Sequence, residues 1–155
     1  MSVCQREKIS ACHWVVYSEI LIDAPAEQIW SVLMDSANLS RWSTSYQGMQ
    51  GDLRKGGKVV VDFVLFGKTQ KLKHTLSDFE EGRMFGWSDP FLPGLRDHHV
   101  YLLKPVSEQQ TRFIQKDAAK GPTALVLGGY AAKVMCDLYT DFNQKLKQAV
   151  EALAG

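Results

Sequence analysis

Residues Tyr130–Leu153 read YAAKVMCDLYTDFNQKLKQAVEAL. Val134, Leu138, Phe142, Ala149 and Leu153 recur at helical spacing, and Met135, Leu146 and Val150 widen the stripe. Asp137, Asp141, Gln144, Lys147, Gln148 and Glu151 fall on the other side, so the spacing predicts a long amphipathic helix with one broad apolar face. At helical rise it spans roughly 35 Å, enough to cross a small domain. A stripe that long needs an equally long apolar surface. The segments before it read as strands, so that surface is expected to be a sheet. Phe142, in mid-stripe, is expected to border a cavity between helix and sheet.

Upstream of the helix the period is two. Gly121-Pro122 closes the strand region, Thr123 can begin the helical one, and Gly128-Gly129 is expected to break or kink the helix near its start. Strands are predicted over Thr111–Lys120, Arg96–Lys104, Arg83–Ser88, Thr69–Phe79 and Lys58–Phe66, with a weaker one at Tyr46–Leu53. Short turns join them, apart from a longer Pro- and Gly-containing loop at Asp89–Gly94. In Lys58–Phe66 the set Val59, Val61, Phe63 and Leu65 is all apolar and is the expected inward face; Val60, Asp62, Val64 and Phe66 form the other.

Further back, Trp14–Ile22 is rich in β-branched and aromatic residues and reads as a first strand. Pro25 suits the first turn of a helix, with Asp23 and Glu27 at its positive end and Ile29, Trp30, Val32 and Leu33 on its apolar face. Asp35 can cap a second short helix over Ser36–Arg41. Residues 1–12 are expected to be a flexible lead-in to a single domain over 13–155. Short connections imply an antiparallel sheet, and the simplest packing is a curved sheet wrapped around the one long helix, an α+β fold.

The chain has 155 residues, with 18 Lys+Arg against 17 Asp+Glu and a formal net charge of +1. That balance points away from nucleic acid and from a membrane-surface patch. Cys4, Cys12 and Cys136 show no paired framework or metal-ligand spacing, so the expectation is a reducing, cytoplasmic setting with no metal and no cofactor. No apolar run is long enough to span a bilayer, so no membrane insertion is expected.

Ile20–Trp30, ILIDAPAEQIW, followed by Asp35 and Trp42, resembles the opening of the START-like superfamily (SRPBCC), which includes the Bet v 1-like proteins and the polyketide cyclase/dehydrase-type proteins. Gly51-Asp52-Leu53 leading into Gly56-Gly57, Phe85-Gly86-Trp87, Leu92-Pro93-Gly94, His99–Leu103 and Thr111-Arg112-Phe113 extend the resemblance over roughly Trp14–Leu153. It implies a helix-grip fold: a seven-stranded antiparallel sheet gripping the C-terminal helix over a cavity for a hydrophobic ligand. Members include lipid carriers, cyclases, hormone receptors and Hsp90-activating co-chaperones, so the fold leaves the function open.

On this reading the helix lines the cavity with Val134, Met135, Leu138, Tyr139 and Phe142. The sheet lines it with Phe63, Leu72, Leu76, Phe85, Trp87, Tyr101 and Phe113. Adjacent strand residues point to opposite faces, so only one of His98 and His99 faces inward. Alternation alone leaves the choice open; family-like spacing places His99, Tyr101 and Leu103 inside. His74 lies between Leu72 and Leu76 and can orient a ligand or move protons. The plainer alternative, a half-exposed histidine or one bonded to a backbone carbonyl, is favoured because the sequence names no partner. Gln115 can fix the polar end of a ligand. Asp117 is expected at the mouth, solvated or paired with Lys116 or Lys120, because a lone buried carboxylate is costly. Phe91 and Leu92 can line a portal or plug the end of the sheet.

Three functions follow. The first is binding, transport or sequestration of a small hydrophobic, aromatic or lipid-like molecule by a monomer or homodimer. The alternative is a cofactor-free cyclase or dehydratase in which His99, His74, Tyr101 or Asp117 moves protons. The third, suggested by the resemblance, is a partner-binding module of the Hsp90-activating kind.

Overall fold

The computed structural model describes residues 1–65 and 67–153, without the side chain of Phe91. Phe66 and residues 154–155, which close the predicted strand and domain, lie outside the described residues. The elements run β1 (Val3–Ser10), β2 (His13–Ile22), α1 (Ala26–Met34), a 3-10 turn (Leu39–Arg41), β3 (Tyr46–Gly51), β4 (Lys58–Leu65), β5 (Lys68–Glu80) and β6 (Met84–Trp87). They continue with β7 (Pro90–Leu92), β8 (Leu95–Asp97), β9 (His99–Ser107), β10 (Gln110–Lys120) and α2 (Ala124–Glu151). The sheet is antiparallel, with path β1-β2-β10-β9-β6-β5-β4-β3 and β8 joining on β10. α2 packs across β2, β10 and β1.

Among the described residues ten strands stand where the resemblance implies seven. The three additions are β1 and the β7–β8 hairpin. β1 replaces the flexible lead-in: Val3–Glu7 pair with Glu19–Val15, giving the backbone a hydrogen-bonded edge although most of its side chains are exposed. β7–β8 folds the predicted loop at Asp89–Gly94 back as a hairpin, and Arg96 and Asp97 pair with Lys120 and Ala119 of β10.

The cysteine expectation is also corrected. Cys4 of β1 and Cys136 of α2 are joined by a disulfide, their Cα atoms 5.8 Å apart. A separation of 132 residues hides the pairing from any spacing rule.

α2 begins at Ala124, directly after Thr123, and runs unbroken through Gly128-Gly129, where a break or kink was expected. These glycines serve close packing: a Cβ on Gly128 would lie 2.4 Å from Trp14 Cδ1. Thr123 precedes the helix, but its hydroxyl donates to Pro93 O at 2.6 Å and makes no cap. Asp35 likewise caps no second helix; it ends α1, and its carboxylate accepts from the Asn38 side chain. Pro25 stands at the N-cap of α1 in extended conformation, one residue before the helix.

The main core lies between the sheet, α1 and the C-terminal half of α2. It includes Ile22, Ile29, Leu33, Val61, Leu76, Phe85, Phe113, Phe142, Leu146 and Val150. A smaller cluster of Val16, Ala132 and Tyr139 sits under the N-terminal half of α2, with Trp14, Met135 and Leu138 against it.

Candidate functional site

Register decides which side chains face α2. Gln115 of β10 pairs with Ser18 on one side and Tyr101 on the other, and Asp117 pairs with Val16. Two-residue alternation then sends Val16, Ser18, His99, Tyr101, Gln115 and Asp117 to the helix side. α2 meets them with Tyr139 and Asn143, one turn apart. His99 is buried and His98 is exposed. Gly86 lets β6 run close to this point, since a Cβ there would meet His99 O at 2.5 Å.

These groups form two hydrogen-bonded runs, one from His99 through Gln115 and Asn143 to Ser18, the other joining Tyr139 and Asp117. Gln115 Nε2 donates to Asn143 Oδ1 at 2.7 Å, so Gln115 Oε1 accepts from His99 Nε2 at 3.0 Å. Asn143 Nδ2 donates to Ser18 Oγ at 3.0 Å and Ser2 Oγ at 3.2 Å, and Ser18 Oγ donates to Val3 O. With its proton on Nε2, His99 turns Nδ1 toward Asp117 Oδ2, 4.0 Å away. Asp117 Oδ2 accepts from the Tyr139 hydroxyl, and Oδ1 from the N–H groups of Ala118 at 2.7 Å and His98 at 3.2 Å. The His99 ring lies between Tyr101 and Tyr139, with centroids at 4.3 and 4.6 Å.

Burial sets the protonation here. It pushes His99 down to about 3, with the Gln115 bond opposing. It pushes Asp117 up to about 6, against the donors from Tyr139, Ala118 and His98. Tyr139 is driven well above the usual phenol range by burial and then by Asp117. Asp117 therefore sits inside the protein, contrary to the expected place at the mouth. Its three donors offset part of the desolvation that argued for solvent, and burial still keeps the carboxyl above its ordinary range.

A second constellation lies beside the first. His74 Nδ1 is 2.7 Å from Asp89 Oδ2, and its ring stacks on Trp87 with centroids at 4.7 Å. The Asp89 N–H donates to Asp97 Oδ1 at 3.2 Å. Burial, then the neighbouring Asp117, pushes Asp97 up to about 7. His74 thus has a carboxylate partner, brought in by the β7–β8 hairpin, where the sequence named none. Its side chain is 11 % exposed, unlike the sealed His99.

Next to both lies an aromatic layer. Phe85 and Tyr101 stack at 4.6 Å. Phe142 is 1 % exposed and ringed by Trp42, Tyr101, Phe113 and Tyr46 at 5.4–6.3 Å, so it fills core where a cavity wall was expected. Leu76, Trp87 and Phe113 are buried in the same core, with Phe63 half-buried against it; Leu72 is half-buried farther out on β5. Met135 and Leu138 pack with Val16 and Tyr139, away from the aromatic layer. Val134 is 37 % exposed and lines nothing inside, because it lies too far around the helix from Tyr139 and Phe142. Leu92, on β7, is exposed and plugs no part of the core. A shallow depression over Gln5, Arg6, Glu7, Val15 and Tyr17 lies away from all these groups.

Sequence reasoning missed Asn143 and Tyr46. Asn143 was legible: it stands four residues after Tyr139 and three before Leu146, a polar residue inside the apolar stripe. Tyr46 heads a weak strand and carries no local signal.

The architecture is a helix-grip of the START type. A START superfamily protein from Mycobacterium smegmatis superposes with TM-score 0.61 at 15% identity, covering 90% of this chain and 98% of that one. A protein from Rhodobacter sphaeroides gives 0.70 at 20% identity, with 97% and 99% covered. The di-domain ARO/CYC BexL from the BE-7585A biosynthetic pathway gives 0.69 at 16% identity over 91% of this chain and 47% of that one. At these identities the likeness is one of fold. A search of curated proteins finds no significant match. The model of the polyketide cyclase/dehydrase and lipid transport family matches residues 13–151, and the chain belongs to that family.

Proposed function

We propose that this protein binds a small, flat, largely apolar molecule between the sheet and α2. The observation that supports this most is the composition of the interior: stacked aromatic rings adjoin a hydrogen-bonded polar chain from His99 to Asn143. Apolar walls with few convergent polar groups are the usual make-up of small-molecule sites. Because Phe142 and its neighbours touch one another, uptake requires α2 or the segment around Trp42 to move outward. Family membership supports a small hydrophobic ligand. The test is native mass spectrometry of protein from its own host, with extraction of bound small molecules, beside titration with a fluorescent apolar probe. A co-purified apolar compound that the probe displaces is the expected result. Bare protein that takes up no probe overturns the reading.

The His74–Asp89 pair favours a second reading, a cyclase or dehydratase. A carboxylate on Nδ1 orients the imidazole and leaves Nε2 to take a proton from an activated carbon and return it to a departing hydroxyl. His74→Gln would then abolish turnover of a poly-β-ketone thioester mimic while leaving its binding intact. Turnover that survives the substitution removes His74 from the chemistry.

A further inference from the structure

The hydroxyl of Tyr46 is the one buried side-chain nitrogen or oxygen without a hydrogen-bond partner among the described residues. The side chain is fully buried. Its surroundings make the omission notable. Nearby buried groups are paired: His99 with Gln115, Asn143 with Ser18, Tyr139 with Asp117, and Thr111 with Ala24 O. A buried hydroxyl with no partner is destabilising, and phenylalanine at position 46 would make the same ring contacts without that cost.

Those contacts describe what could satisfy it. The Tyr46 ring sits 5.6 Å from Phe85, 5.5 Å from Tyr101 and 6.3 Å from Phe142. Burial drives its phenol far above the ordinary value, so the group keeps its proton and is available as a donor. A guest that satisfies it among these rings is flat and presents a hydrogen-bond acceptor, of which a carbonyl oxygen is the strongest common one on a flat apolar molecule.

We infer that Tyr46 is a ligand-recognition residue whose hydroxyl donates to a carbonyl oxygen of a flat aromatic ketone held between Phe85, Tyr101 and Phe142. The inference rests on the binding reading above and names the ligand's class. An aromatic hydrocarbon of the same outline fits the same rings but leaves the hydroxyl unpaired. Binding of the ketone removes the cost that the empty protein carries.

The test uses 9-fluorenone and fluorene, which differ by a carbonyl in place of a methylene, titrated against tryptophan fluorescence. Wild type should prefer fluorenone by roughly tenfold, one hydrogen bond in a dry site. Tyr46→Phe should bind both equally, and its Tm should rise by about 2–6 °C, because an unpaired polar group is gone. Equal binding of both compounds by wild type overturns the role of Tyr46 and leaves the binding reading standing. A preference that persists in Tyr46→Phe does the same. A fall in the variant's Tm would show that the hydroxyl has a structural partner and also overturns the inference. If neither compound binds wild type up to its solubility limit, both the inference and the binding reading fail.

Discussion

The two halves of α2 are held in different ways. From Phe142 onward the helix is anchored by area: Phe142, Leu146 and Val150 are buried in the main core. Before Tyr139 the buried area is smaller, Ala124 and Ala132 with Met135 and Leu138 against Trp14 and Val16, and points add to it: Gly128 on Trp14, Thr123 on Pro93 O, and the Cys4–Cys136 disulfide. Leu125, Val126, Leu127 and Tyr130 of this first half are 41–81 % exposed. Buried apolar area is a distributed hold that yields only with the whole core, whereas pins can be drawn one at a time. If α2 moves to admit a ligand, the pinned half should move first.

The largest effect belongs to the anchored half. Phe142→Ala should cost about 3–5 kcal/mol, since four aromatic neighbours surround the ring it deletes. Urea denaturation measures it, and a loss below about 2 kcal/mol would mean that the ring borders free space. Reducing Cys4–Cys136 should cost roughly 2–4 kcal/mol through the freed unfolded chain. Its diagnostic is local: amide exchange should quicken over 124–136 and remain slow over 142–150. Uniform quickening would erase the distinction between the halves.

The smallest effect lies at the junction, where Tyr139 and Asn143 meet the polar chain. Between about pH 4 and 6 the folded protein carries neutral His99 and protonated Asp117, while the unfolded chain carries the reverse. Each state binds one proton on this pair, so the pair adds no slope to stability against pH. Asp117→Asn leaves only His99, protonated when unfolded, so stability should rise with pH by about 1.4 kcal/mol per unit relative to wild type. His99→Gln leaves only Asp117, protonated when folded, and should fall by the same amount. Because Asp117 helps to raise Asp97, the comparison is made with Asp97→Asn in all three proteins. Denaturation midpoints at roughly pH 4.5, 5.0 and 5.5, all inside that window, decide it; parallel profiles would show that the two groups titrate normally.

The anchored half was the more legible in sequence. Phe142, Leu146 and Val150 lie on a helical stripe, and apolar periodicity reports burial against a large surface. Pins leave no such trace. Gly128 reads locally as a helix breaker, and only Trp14, more than a hundred residues away, explains it. β1 shows no apolar face because most of its side chains are wet. The same division holds in the site. The inward turn of His99 followed from register and family-like spacing. The partners of Asp117 and His74 did not, because Tyr139 and Asp89 reach them from other elements.

The strand order has a consequence in time. From β3 onward, each step along the sheet path to β10 joins strands that are neighbours in the chain or separated only by the β7–β8 hairpin. The join between β2 and β10 is different, pairing His13–Ile22 with residues 111–120 across the length of the meander. At roughly 5–20 residues per second of synthesis, β2 waits several seconds for that partner, its inner edge open all the while. Cys4 waits longer, because Cys136 emerges after β10. The N-terminal hairpin is thus the first part of the sheet to be made and the last to be completed, and the disulfide can form only after all the other described strands have been synthesised.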